Sequence, residues 1–301
     1  MTSGRTNLAV DHVGMVARDR DATVAWYQQH LGFQPIKWED YVDVDDLAIG
    51  LPGEIVRLRG AQLDAGSDTV LEIHEYVTPT GDGRRLAYDT GPSHIAFTPV
   101  DMADDYARLA AAGVVWHGKP KLITTGALAG DEWVWGNDPF GTPIELHVNA
   151  SDEQPADRIT LNHYGLTVPD LDAAAKWYCE TYGWKIRTRE AWTDIEGANL
   201  GVPDKSVRLQ GVIFDTGGPA GWELHEYASG RDRTRRICDT GIGHAALWAD
   251  DVSATYADLK GRGVRFNHEV GHITTGGLAG TTWAYGRDLN DNVVEITSYP
   301  V

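Results

Sequence analysis

Cysteine and positive charge are scarce in this chain. Its 301 residues include only two cysteines, Cys179 and Cys238, which excludes the multi-bridge framework of small secreted domains. Lys and Arg number 26 against 44 Asp and Glu, and the net charge of −18 argues against binding to nucleic acid or an anionic membrane surface. No apolar run approaches the roughly 20 residues of a membrane span, and the first residues lack the apolar stretch of a secretory signal. We therefore expect a cytoplasmic globular protein whose partner is a small molecule.

The sequence does contain a long internal repeat. A first set of residues recurs at an offset of 151: His12, Trp26, Tyr27, Gly32 and Glu72 return as His163, Trp177, Tyr178, Gly183 and Glu223. After a one-residue gap near positions 80–88 the offset becomes 150: His94, Gly130, Trp133, Asp138 and Glu145 return as His244, Gly280, Trp283, Asp288 and Glu295. The halves meet at a polar stretch, 149–158, which suits a linker. We predict two tandem domains, 1–150 and 158–301.

Each half divides again into two modules of one plan. A short apolar strand carrying a histidine leads into a helical pattern that stops near a glycine, and three strand-like runs follow, the last carrying a glutamate. In the first helix this pattern is Arg20, Val24, Tyr27 and Leu31, followed by Gly32. The sequence thus predicts an α+β fold of four βαβββ modules, which we number one to four in chain order, at 1–78, 90–150, 158–228 and 240–301.

The repeated histidines and glutamates form a set that could bind metal. Every module places one histidine on its first strand and one glutamate on its last: His12 and Glu72, His94 and Glu145, His163 and Glu223, His244 and Glu295. Four imidazoles and four carboxylates suffice for two sites that bind a divalent metal such as Zn, Fe, Mn, Co or Ni. A single histidine beside a carboxylate on a strand is more often a structural pair, and duplication would copy structural pairs too.

The stretches DHVGMVARDRDATVAWYQQHLGF (11–33), NHYGLTVPDLDAAAKWYCETYGW (162–184) and DPFGTPIEL (138–146) resemble the vicinal oxygen chelate superfamily. That superfamily includes glyoxalase I, epimerases, type I extradiol dioxygenases and drug-resistance proteins. The resemblance implies that modules pair into curved half-barrels around metal sites, whose ligands are the eight residues above. It also implies a substrate that binds through two neighbouring oxygens. The sequence leaves open which modules pair.

The resemblance implies several reactions, and the residues favour one of them. A complete His-Glu-His-Glu set in both halves resembles the glyoxalase and epimerase branch, in which a ligating glutamate moves a proton next to a carbonyl. On that analogy Glu145 and Glu295 are the first candidate bases, and Glu72 and Glu223 the second. We therefore predict a metal-dependent lyase or isomerase.

Two alternatives stay open at this stage. An extradiol ring-cleaving dioxygenase of this superfamily resembles the chain at Tyr285, which falls near a tyrosine of that branch. The branch also carries an acid-base histidine just before that strand, but residues 276–288 contain no histidine, and Trp135 stands at the matching position of module two. A drug-sequestering resistance protein would suit the acidic charge. The aromatic content, with 11 Trp and 12 Tyr, makes an aromatic substrate one option. We expect a monomer or a homodimer.

Two more histidines share a strand face with a candidate ligand, since side chains alternate along a strand. His74 follows Glu72 by two positions, and His225 follows Glu223 in the same way. The matching residue is His147 in module two but Thr297 in module four. We predict that His74 and His225 point into the site, as acid-base or hydrogen-bonding groups. The repeated TTG(A/G)LAG segment is expected to form a loop over the pocket mouth.

Overall fold

The structure is a computed structural model that describes residues 6–66, 68–83, 86–151, 158–232 and 236–300. Most of the predicted linker, 152–157, lies outside this described part, as do residues 1–5 of the first predicted domain and residue 301 of the second. No helix within the described residues has the length and apolar character that crossing a membrane requires. Both cysteines are free thiols.

Modules one and three follow the predicted βαβββ order. The elements of module one are β1 (Val10–Val16), α1 (Arg20–Leu31), β2 (Gln34–Val44), β3 (Val56–Asp64) and β4 (Val70–Thr78). In module two the first strand after the helix is split into two short pieces, and the elements are β5 (Gly91–Thr98), α2 (Met102–Ala111), β6 (Val115–Trp116), β7 (Lys121–Leu122), β8 (Glu132–Asn137) and β9 (Pro143–Val148).

The second half repeats these two patterns. Module three has β10 (Thr160–Thr167), α3 (Leu171–Tyr182), β11 (Lys185–Glu196), a 3₁₀ turn (Gly197–Leu200), β12 (Ser206–Asp215) and β13 (Gly221–Tyr227). Module four has β14 (Gly241–Trp248), α4 (Val252–Gly261), β15 (Arg265–Phe266), β16 (Gly271–His272), β17 (Thr282–Arg287) and β18 (Val293–Ser298). The fold is α+β with four related modules, as predicted.

Local sequence signals set the limits of the helices. Each begins after an aspartate whose carboxylate accepts a hydrogen bond from a backbone N–H of the first turn; these N-caps are Asp19, Asp101, Asp170 and Asp251. Helices α1 and α3 end at Gly32 and Gly183, which adopt the left-handed conformation that a C-cap glycine permits. In α2 and α4 the helix ends two residues before Gly113 or Gly263.

The sheets do not follow the two halves of the chain. One sheet runs β15-β17-β18-β14-β1-β4-β3-β2 and joins module four to module one, with β16 added beside β17. The other runs β11-β12-β13-β10-β5-β9-β8-β6 and joins module three to module two, with β7 beside β8. Strands β1 and β14 are antiparallel neighbours at the centre of the first sheet, and β10 and β5 occupy the same place in the second. Each sheet is therefore built from both halves.

The helices connect modules within one half, across the two sheets. Trp26 on α1 donates its indole N–H to Ala112 O at 2.9 Å, and Tyr27 donates its hydroxyl to Asp138 Oδ2 at 3.0 Å. Tyr178 makes the matching bond to Asp288 Oδ2 at 2.7 Å. One continuous apolar core contains residues of all four modules. The division at 150 and 158 stays a prediction about units of sequence, because packing runs across it in both directions.

Candidate metal centres

Two groups of four buried side chains bring all eight predicted ligand residues together. We call them site A (His12, Glu72, His244 and Glu295) and site B (His94, Glu145, His163 and Glu223). In each group the imidazole nitrogens and carboxylate oxygens that could bind an ion lie within 4.8 Å of one another. The open question of pairing is answered by these groups, because site A joins modules one and four and site B joins modules two and three.

The order of strands explains how each group converges. In the first sheet the four adjacent strands β18, β14, β1 and β4 carry Glu295, His244, His12 and Glu72 in that order. Two imidazoles are therefore central, and one carboxylate flanks them on each side. The second sheet repeats this arrangement with β9, β5, β10 and β13. The flanking strands run parallel to their neighbours. In the first sheet this register aligns Glu72 with Gly14, which pairs with His244, and aligns Glu295 with Ala246, which pairs with His12.

An extra residue interrupts the strand register immediately before each ligand histidine. Along β1 the pairing passes from Val10 directly to His12, so that Asp11 is bulged, and the other three bulged residues are Ser93, Asn162 and Gly243. A bulge turns two successive side chains toward one face, where regular alternation would separate them. This geometry lets a polar residue stand beside the ring that follows it.

Three of the four bulged residues contact the imidazole ring that follows them, while the fourth, Gly243, has no side chain. His12 donates its Nδ1–H to Asp11 Oδ2 at 2.8 Å, and His163 donates its Nδ1–H to Asn162 Oδ1 at 2.7 Å. Ser93 Oγ lies 3.0 Å from His94 Nδ1. With the proton held on Nδ1, the Nε2 lone pair points into the site, as a metal ligand requires.

Two glycines make room for the rings. Gly14 and Gly165 stand two positions after His12 and His163, on the central strands. A Cβ atom at Gly14 would overlap the His244 ring, and one at Gly165 would overlap the His94 ring. Both rings thus lie directly on neighbouring backbone, and only a residue without a side chain fits beneath them.

The centre of each site favours a cation. The two Nε2 atoms lie 3.3 Å apart in site A and 3.0 Å apart in site B. Burial by itself lowers the pKa of His94, but the nearby carboxylates of Glu145 and Glu223 outweigh it and raise that pKa to about 9. Burial opposes ionisation of Glu145 and Glu223, yet the surrounding imidazoles hold the pKa of both carboxyls well below the usual range.

One buried oxygen of site B is left without a hydrogen bond. Glu223 Oε2 has no aligned donor among the described residues, although Nε2 atoms of His94, His163 and His225 lie 3.2, 3.4 and 3.3 Å away. Inward-facing Nε2 atoms, ionised carboxylates and an unsatisfied buried oxygen together fit a divalent ion. Such an ion would replace the imidazole protons and balance the negative charge of the carboxylates. The donor set of two imidazoles and two carboxylates suits Zn, Fe, Mn, Co or Ni equally.

His74 and His225 point into the sites, as their strand positions predict. His74 Nε2 lies 3.2 Å from Glu72 Oε2, and His225 Nε2 lies 3.3 Å from Glu223 Oε2. Their rings stack against ligand rings, with centroids 5.9 Å from His244 and from His94 respectively. Neither belongs to the four-residue groups. Their role as acid-base groups stays a prediction.

Site B has an additional support that sequence reasoning did not find. His147 donates Nδ1–H to Glu145 Oε1 at 2.8 Å, and its Nε2 lies 3.3 Å from Asp131 Oδ2. Burial lowers the pKa of His147, but these two carboxylates outweigh it and raise the pKa to about 10. Asp131 also accepts the backbone N–H of Ala150 at 2.9 Å. Module four has Thr281 and Thr297 at the positions of Asp131 and His147, so Glu295 lacks this support.

Site A has different polar neighbours. Gln62 donates its Nε2–H to Glu72 Oε1 at 3.0 Å, whereas module three has Ile213 at the matching position. The Tyr285 hydroxyl lies 3.5 Å from His244 Nε2. Burial, followed by the charges of Glu295 and Glu72, raises the pKa of Tyr285 well above the usual range, so the hydroxyl keeps its proton.

Each site lies at the floor of a cavity of about 380 Å³. The repeated TTG(A/G)LAG segments form part of the walls, through Thr275 and Leu278 at site A and through Thr125 and Leu128 at site B. A carboxylate of the partner module in the same sheet holds each segment. Glu39 accepts the N–H of Leu278 at 3.1 Å, and Glu190 accepts that of Leu128 at 2.6 Å.

Comparison with known proteins places the chain in a family. The model of the Glyoxalase/Bleomycin resistance protein/Dioxygenase superfamily matches residues 9–146 and again 160–296. The chain belongs to that superfamily. Among curated proteins, a 2-epi-5-epi-valiolone epimerase from Actinomyces sp. is 34% identical over 154 residues, which cover 46% of this chain and 78% of the relative.

Solved structures agree on the glyoxalase fold. Glyoxalase I from Zea mays superposes with a TM-score of 0.67, covering 96% of this chain and 92% of the maize chain at 18% identity. At that identity the likeness concerns architecture alone. Together the family match, the epimerase relative and the two His/Glu groups support a metal-dependent enzyme of the superfamily.

Proposed function

We propose that the protein is a divalent-metal-dependent isomerase or lyase of the glyoxalase superfamily, which moves a proton at a carbon next to a carbonyl. One observation carries the proposal. In each site the four candidate ligands lie on four adjacent strands, with the two imidazoles on the inner strands and one carboxylate on each outer strand. Epimerisation needs one group to take a proton from one face of a carbon and another to return it to the opposite face. We assign these two steps to the paired glutamates.

The bound metal would hold two neighbouring substrate oxygens and stabilise the negative charge that develops on them. The eight residues of sites A and B would hold it. Glu295 and Glu145 are the first candidate bases, with Glu72 and Glu223 as their opposites. Glu295 has no counterpart of the His147 bond that restrains Glu145, and its own neighbour is the Tyr285 hydroxyl.

The neighbouring side chains would orient the substrate and exclude water. His74 and His225 lie beside the second glutamate of each site and could exchange protons with it. Because Tyr285 keeps its hydroxyl proton, it can donate a hydrogen bond to a substrate oxygen in site A. The TTG(A/G)LAG segments close one side of each cavity.

The test is deuterium incorporation. The metal-loaded protein is incubated in D₂O with 2-epi-5-epi-valiolone, the compound in the relative's name, and with simple 2-hydroxyketones, and exchange at the carbon next to the carbonyl is followed by NMR. We expect exchange in the parent and a loss of about 10²-fold or more in a Glu295→Gln, Glu145→Gln double variant, compared at equal bound metal. Glutamine keeps an oxygen donor at each ligand position but cannot take up a proton as a base. Exchange that survives in this variant would contradict the assigned bases.

A ring-cleaving dioxygenase is the second candidate, because the Tyr285 hydroxyl lies beside His244 in site A. Ring cleavage consumes one O₂ per substrate, whereas proton transfer consumes none. Oxygen uptake in step with loss of a catechol would replace our proposal by this one. Cytoplasmic location and a monomeric or homodimeric state remain predictions.

A further inference from the structure

We propose that the two cavities take different compounds: site A a polyhydroxylated ketone or ketol, and site B a compound with a flat apolar group beside its two metal-binding oxygens. The inference rests on the proposed function, because both compounds are taken to bind through neighbouring oxygens. It comes from the positions where the two cavity linings differ, although the eight candidate ligands are the same.

Three matched positions near the floor differ in the same sense. Lys37 and Gln62, which pair across β2 and β3, are replaced in site B by Thr188 and Ile213, which pair across β11 and β12. Tyr285 is replaced by Trp135. All six side chains line their cavities. Site A thus has an ammonium group, an amide and a phenol where site B has a short hydroxyl side chain, an aliphatic group and an indole.

The donors of site A are available to a ligand. Lys37 is half-buried and lies over the Tyr299 ring, with its Nζ 4.0 Å from the ring centre. Gln62 uses one amide hydrogen on Glu72 and has another to give. An apolar group against these donors would strip them of water and leave them unpaired, which costs affinity. A chain of hydroxyl groups would satisfy them.

The floor of site B offers a flat apolar wall. The Trp135 ring lies 4.4 Å from the His94 ring, centre to centre, and only 4% of Trp135 is exposed. Ile213 lies on the neighbouring module, and Leu122 stands where site A has His272. A hydroxyl group held against this wall would lose its water without gaining a partner, whereas an aromatic group would stack.

Polar groups do occur at site B, but several are already paired. Near the floor His147, which has Thr297 as its counterpart in site A, is bound to Glu145 and Asp131. Three residues of the outer rim are paired with one another. Lys121 Nζ lies 3.2 Å from Glu196 Oε2, and Asn199 Nδ2 donates to the same oxygen at 3.2 Å. These three residues form a hydrogen-bonded network at the entrance. A substrate group bound next to the metal would contact the apolar surface near Trp135.

The experiment uses two hydroxamates that share one chelating group. D-gluconohydroxamate carries a polyhydroxylated chain, and benzohydroxamate carries a phenyl ring. Each is titrated into full-length protein loaded with Co²⁺, and binding is read from the visible Co²⁺ spectrum. His163→Ala leaves site A for study, and His12→Ala leaves site B. We expect gluconohydroxamate to prefer site A, and benzohydroxamate to prefer site B, each by roughly tenfold or more.

A second set of variants swaps lining residues between the two sites and leaves every candidate metal ligand in place. In the two-site protein, Lys37→Thr keeps the Gln62 bond to Glu72, and it should reduce the gluconohydroxamate preference for site A by about tenfold with the Co²⁺ content unchanged. Thr188→Lys with Ile213→Gln should shift site B the other way. The same order of preference at both loaded sites would overturn this inference and leave the proposed function standing. Failure of both sites to bind Co²⁺ would overturn both.

Discussion

Sites A and B have the same four candidate ligands on the same four strand positions, yet their glutamates are supported by different neighbours. In site B, Glu145 is bound to His147, which Asp131 anchors in turn. In site A the corresponding positions are threonines, and the support falls instead on Glu72, which accepts a bond from Gln62. The comparison shows that repetition preserved the centres while their surroundings diverged. Metal affinity and substrate choice can therefore differ between sites that look alike in sequence.

The largest expected effect comes from removing one ligand histidine. His12→Ala should abolish metal binding at site A, and His163→Ala at site B, because three donors around a buried gap hold an ion far more weakly than four. Elemental analysis should find about two metal ions per parent chain and one in each variant. His30→Ala, which removes a histidine of α1 outside both groups, should keep two. A variant that loses both ions, or neither, would contradict two separate sites.

The next effect comes from adding one methyl group beneath a ring. Gly14→Ala should displace His244 and empty site A, and Gly165→Ala should displace His94 and empty site B. Each should also lower the free energy of unfolding by roughly 1–3 kcal/mol, as overpacking does. Metal content and thermal unfolding measure both effects.

The control for that prediction is Gly261→Ala. A Cβ atom there meets nothing within 4 Å, and the residue is the last of α4. It should keep both ions and leave stability unchanged or slightly higher. Full metal occupancy in Gly14→Ala would show that the His244 ring does not depend on this close approach.

The smallest effect separates the two sites by their supports. His147→Thr gives site B the residue of site A and should weaken its metal affinity about 10–100-fold, since the group that orients Glu145 is lost. Site A in the same molecule serves as the internal control, and Co²⁺ competition titrations resolve the two affinities. Thr297→His with Thr281→Asp should strengthen site A. Equal changes at both sites would refute the idea that this support is local.

The repeat was enough to predict the modules and the eight candidate ligands, because each candidate position occurs four times. It could not predict which modules pair, since any two modules together supply two histidines and two glutamates. It also missed Lys37, Gln62 and Asp131, which differ from their counterparts Thr188, Ile213 and Thr281. A search for repeated residues is blind to such positions, and these are the ones that distinguish the sites.

Asp11 and Asn162 escaped prediction for another reason. A residue next to a ligand on a regular strand points to the opposite face, so its contact with the following histidine depends on the bulge. The local polar-His pairs at 11–12, 93–94 and 162–163 are the sequence signal that could have revealed it.

The crossing of modules between sheets makes the link between the halves an element of the chemistry. Each half alone supplies one histidine and one glutamate to each site, so neither half contains a complete centre. Joined in one chain, the partners meet at a concentration set by the tether and not by how much protein is present. A chain cleaved between residues 151 and 158 would bind metal only while its two fragments stayed associated, so dilution should empty both centres together.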